Sequence, residues 1–113
     1  MPPLEPSPPA LIERFDAVAA RFPEAQRKKM FGYLKLFIGG NLVTGLYADR
    51  LMIRLPPDDL AELMALPGGG PFSPKGKTMS GYGTVPTDVV ADDAALDGWI
   101  RRAIAHARTL PAK

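Results

Sequence analysis

The residues best equipped for chemistry in this chain do not assemble into a catalytic set. Gly76-Lys77-Thr78 has the ending of a phosphate-binding loop, in which successive backbone N–H groups curl around phosphates. That loop needs four residues between its two glycines, which puts the first at position 71, where Pro71 stands. Gly70 lies one residue too far, Pro74 removes a donor, and Ser80-Gly81 follows where a helix should run. Gly81-x-Gly83 alone is a still weaker signal. His106 is the sole histidine and there is no cysteine, so a typical zinc site lacks ligands. Asp92, Asp93 and Asp97 cluster at a helix start, where capping explains them. Ser73 and Ser80 sit in no nucleophile motif, and Ser80 lacks the flanking glycines of an elbow. The sequence therefore predicts no enzyme, no cofactor and no metal.

Recognition chemistry is better represented. Arg27, Lys28 and Lys29 form a basic trio, a solvated turn by default and a candidate nucleic-acid contact otherwise. Beyond it, residues 30–56 read as three short strands joined by two tight turns. Leu51, Ile53 and Leu55 mark one apolar face of residues 50–55. A two-residue turn at Gly39-Gly40 would pair Leu36 with Val43 and put Lys35 on that face. A three-residue turn at Gly39-Gly40-Asn41 pairs Ile38 with Leu42 instead. With a two-residue turn at Ala48-Asp49, the core face then becomes Leu34, Leu36, Ile38, Leu42, Thr44, Leu46, Leu51, Ile53 and Leu55. A one-residue slip flips every side chain, so this near-uniform face favours the longer first turn. It predicts positive φ at Gly40 or Asn41.

The opposite face then carries Tyr33, Lys35, Phe37, Val43, Tyr47, Arg50, Met52 and Arg54, with Gly45 among them. Such a face is amphipathic rather than polar. An exposed patch of aromatics, Met and Arg usually marks a contact surface, so these eight are the candidate partner or dimer contacts. The alternatives are that Arg and Lys stems cover the rings or that a later segment folds over them.

The elements that hold this sheet are plainer. Residues 1–9 are half proline and predict a disordered tail, with the single ordered domain over residues 10–113. Leu11, Ile12, Phe15, Val18, Ala19 and Phe22 recur at helical spacing, and Pro23 stops that helix. Residues 23–29 read as a polar linker. Pro56-Pro57-Asp58-Asp59 opens a second helix with Leu60, Leu63 and Met64 on one side. Residues 71–86, rich in Gly, Pro and Ser, allow one or two short edge strands. Asp92 or Asp93 caps a last helix whose apolar stripe is Leu96, Trp99, Ile100, Ala103, Ile104 and Ala107. His106 lies off that stripe. The order helix, three strands, helix, one or two strands, helix predicts an α+β domain of two layers, an antiparallel sheet with helices mainly on one face.

Composition narrows the class further. The chain has 113 residues, a net charge of +2 and mixed charges of both signs. That charge is too small to imply a nucleic-acid partner by itself. No apolar run approaches the roughly 18 residues of a membrane span, and the N-terminus is no secretory signal. With no cysteine to oxidise, a cytoplasmic location is expected.

The residues also resemble a known family. Arg27-Lys28-Lys29-Met30-Phe31-Gly32-Tyr33, Phe37-Ile38-Gly39-Gly40-Asn41-Leu42 and Gly45-Leu46-Tyr47 occur in the order and spacing of the TfoX/Sxy family N-terminal domain. Leu63-Met64-Ala65-Leu66-Pro67-Gly68, Pro71-Phe72-Ser73-Pro74, Gly76-Lys77-Thr78-Met79 and the Asp-Ala-Leu-x-x-Trp-like helix start at Asp93–Trp99 continue the match, which reaches Arg108-Thr109-Leu110-Pro111. The family is known for regulators of competence-gene transcription, some acting with a cyclic-AMP receptor protein. Those regulators carry a second, helical domain and read Met-Phe-Gly-Gly where Tyr33 follows Gly32 here. The resemblance implies a fold and a regulatory role.

Two function classes follow. One is a protein–protein interaction module, a homodimer or the binder of another protein, acting on transcription through that partner. The other is a weak, direct nucleic-acid binder that uses the basic trio with Lys35, Arg50, Arg54 and the nearby rings.

Overall fold

Three consecutive hairpins make most of the sheet. The computed structural model describes residues 6–30 and 32–113; residues 1–5 of the expected tail and Phe31 of the opening motif lie outside them. Strands Gln26–Met30 (β1), Tyr33–Ile38 (β2), Asn41–Tyr47 (β3) and Arg50–Arg54 (β4) pair antiparallel in chain order. Gly70–Pro71 (β5) and Tyr82–Thr84 (β6) complete a six-stranded sheet in the order β1-β2-β3-β4-β6-β5. Four helices, Pro9–Arg21 (α1), Pro57–Met64 (α2), Thr87–Val90 (α3) and Asp93–Thr109 (α4), accompany it. The fold is α+β, as expected, with one strand more in the first half than the sequence suggests.

Helix α1 has no side-chain cap. Pro9 opens it with a preset φ, and the Leu11 and Ile12 N–H groups donate to the Pro8 carbonyl. Ser7, just ahead of the helix, is buried. Helix α4 is capped by Asp92, whose carboxylate accepts from the Ala95 N–H at 3.2 Å. Its stripe from Leu96 to Ala107, Trp99 included, joins Phe15 and Val18 of α1, Phe22 just beyond it, and Leu36, Leu46, Leu51 and Ile53 of the sheet in one core. Asp97 is not a cap. The Arg21 guanidinium grips it with two prongs, Nε and Nη2 each at 2.8 Å, pinning α1 to α4. That hydrogen bond holds the Arg21 pKa above its ordinary value. Met64, expected beside Leu63, is exposed.

The β2–β3 connection corrects the expected register. Ile38 faces Asn41 and Phe37 faces Leu42, so the turn has two residues, Gly39 and Gly40, with φ of 57° and 80°. Positive φ at both positions matches a hairpin turn that follows the sheet's twist. Leu36 nevertheless faces Thr44, because Val43 is an extra residue, a β-bulge, in β3. The bulge restores the pairing that a longer turn would give, and Thr44 meets Ile53 across the next turn as expected. Leu42 is only half-buried, while Val43 is fully buried in the main core.

The chain beyond α4 returns to this turn. The Lys113 N–H donates to the Gly39 carbonyl at 2.8 Å, and the buried Asn41 amide donates to the Pro111 carbonyl at 3.0 Å. A Cβ at Gly40 would come within 2.9 Å of the Lys113 Cβ. Gly40→Ala is therefore expected to cost about 1 kcal/mol, chiefly through the left-handed backbone. Chemical denaturation would read it, and an unchanged midpoint would contradict the turn assignment.

Candidate functional site

The sheet face opposite the helices is not open. Of the eight residues expected there, Lys35, Phe37 and Met52 are buried, Tyr33 and Val43 belong to the main core cluster, and Tyr47 and Arg54 are half-buried. Only Arg50 of the eight is exposed, so these residues do not form an open apolar patch. Residues 71–81 supply the cover. Phe72, 3% exposed, packs edge-on against Tyr47 with centroids 5.5 Å apart, and Tyr47 tilts against Tyr33 at 5.3 Å. The Met79 N–H donates to the Phe72 carbonyl at 2.9 Å and closes the segment. Cationic stems do the rest: the Lys28 ammonium lies 5.8 Å from the Phe37 ring centre, and the Arg54 guanidinium 5.7 Å from that of Tyr82.

Lys35 is the unusual member. It is 6% exposed, and its stem lies across Gly45, where a Cβ would approach the Lys35 Cγ to 2.6 Å. The amine donates to the Leu46 carbonyl at 3.3 Å, and no carboxylate among the described residues pairs with it. Burial pushes its pKa below the ordinary lysine value. Gly45 thus leaves the space that the lysine stem fills.

The most exposed element is β1, all five residues of it. It occupies one edge of the sheet, and its outer side pairs with no strand among the described residues. Its side chains alternate. Arg27 turns toward α1 and pairs with Asp16, while Lys28 turns to the opposite face above Phe37. Lys29 has no ion-pair partner among the described residues. Residues 26–29, expected as linker, became a strand because backbone pairing with β2 alone suffices to place them.

The remaining chemical candidates stay apart. Gly76 ends a 3₁₀ turn at Pro74–Gly76, and no helix follows to present N–H groups to a phosphate. The Ser73 and Thr78 hydroxyls bond each other at 2.9 Å. His106 is half-buried late in α4. Among the described residues no three His, Cys, Asp or Glu side chains gather as a metal site, and no helix is long and apolar enough to cross a membrane.

Comparison with known proteins gives a single finding. No curated protein and no solved structure matches the chain. The family model described as TfoX N-terminal domain matches residues 17–107, from late α1 through the whole sheet and nearly all of α4. The chain belongs to the TfoX N-terminal domain family.

Proposed function

We propose that this domain is a regulatory interaction module, of the kind found in competence regulators, that takes a protein partner along the outer edge of β1. The observation that carries the reading is the exposure of that edge over its full length, while most residues of β2, β3 and β4 are buried. An unpaired edge is a template for an added strand, whose main-chain bonds supply affinity and whose side chains supply choice. Charge selects the partner. A second copy pairing antiparallel about Lys28 would set Lys28 against Lys28 and Arg27 against Lys29, and like charges directly opposite are destabilising. An acidic extended segment reverses that sign. The alternating directions of Arg27 and Lys28 also weaken the nucleic-acid reading, because the trio cannot face one phosphate row together.

Affinity capture from nuclease-treated host extract, comparing wild type with Lys28→Glu/Lys29→Glu, tests this. The captured partner should weaken by about tenfold or more, some 1.4 kcal/mol, while circular dichroism stays unchanged. Capture that survives the charge reversal would remove the edge from the interface. Capture lost on nuclease treatment alone would transfer the assignment to nucleic acid.

A further inference from the structure

A cleft of about 520 Å³ opens between α1, the β3–β4 turn and α3, away from the β1 edge. Its size is that of a small-molecule site, and its walls are mainly apolar: Leu11 of α1, Leu51 of β4, Val85 and Val90. Arg14, Arg50 and Asp49 also line it. The partners of Arg14 all lie at one end of the group. Nη2 bonds Asp93 at 2.8 Å and the Val90 carbonyl, while Nε is buried with no acceptor among the described residues. Arg50 is exposed, and its ion-pair partner is its neighbour Asp49, at 3.7 Å, on the same rim. The Arg50 stem is presented by a two-residue turn in which Ala48 holds φ of 51°. An apolar pocket with cationic groups at its border fits a particular ligand shape, an apolar body ending in an anion.

We propose that this cleft is a binding site for a small amphipathic anion, an aliphatic or aromatic acid whose body packs on Leu11, Leu51 and Val90 and whose headgroup meets Arg50 and Arg14. The assignment is independent of the β1 edge. Its test uses the whole chain with 1-anilinonaphthalene-8-sulfonate as probe, an aromatic body with a sulfonate. The dye should bind saturably at one site, and decanoate should displace it at a concentration about tenfold lower than decanol does. Arg50→Gln should weaken the dye about fivefold. Ala91→Trp, at an exposed wall position, should abolish binding by filling the cleft while near-ultraviolet circular dichroism keeps its native form. Non-saturable dye uptake, equal displacement by the acid and the alcohol, or unaltered binding in Ala91→Trp would each overturn the site.

Discussion

Phe72→Ala should lower stability by about 3 kcal/mol, at the lower end for removing a buried aromatic ring. The magnitude follows from position. Phe72 is buried against Tyr47 although it lies in a segment with little regular structure. Its removal leaves residues 71–81 held by a few backbone bonds, such as Met79 N–H to the Phe72 carbonyl. Part of the loss will be recovered as the segment relaxes, which keeps the figure below that of a rigid core site. Urea denaturation gives the value, and hydrogen exchange gives the location. Faster exchange should concentrate in residues 71–84 and in β4, which pairs with β6. A loss under 1 kcal/mol would show that the ring does not anchor the cover.

Lys35→Met is expected to act in the other direction, stabilising the domain on the order of 1–2 kcal/mol near neutral pH. A methionine keeps the stem that fills the space above Gly45 and discards the charge. The pH dependence carries the signature. The folded state holds the Lys35 pKa below 10.5, the value for a free lysine. Between the lowered value and 10.5 the unfolded chain binds more protons, so this residue makes stability rise with pH across that window. Below the lowered value the penalty is fully present and constant. Lys35→Met should remove the rise and the penalty together. Thermal melts of both proteins from pH 7 to 10.5 would show the two curves converging as pH increases. Parallel curves would mean that the amine is solvated.

Much of this structure is legible in the sequence, and the failures have physical causes. Helices α1 and α4 announce themselves because each buries a stripe at 3.6-residue spacing against the sheet. The β3–β4 hairpin is legible because Leu51, Ile53 and Leu55 alternate cleanly. Strand β1 is not, since all of it is exposed and no alternation of burial is imposed on it. The bulge at Val43 is hidden for a different reason. A three-residue turn, or a two-residue turn followed by one extra residue, returns Leu36 to the same partner, and hydrophobic pattern cannot separate them. For the outer face, alternation correctly places Tyr33, Lys35, Tyr47 and Met52 together. Tyr47 among them packs on Phe72, a contact far along the chain that no local pattern encodes. Among the candidate sites, the basic trio is visible at once, but its placement on an edge follows only from the pairing. The cleft that Arg14 and Arg50 share joins two elements distant in sequence.

The position of α4 in the chain has a consequence for synthesis. The hairpins β1 to β4 are local and can form as soon as they emerge, since they require only short loops to close. Their core face, with Leu36, Leu46 and Ile53, is nevertheless completed by Leu96, Trp99, Ile100 and Ile104, which are made last of all the elements. A nascent chain therefore carries its hairpins with only part of their apolar face covered, by Phe15 and Val18 of α1, until α4 is made. During that interval Arg27, Lys28 and Lys29 set like charges along the exposed edge strand β1, which disfavours strand addition between two such chains.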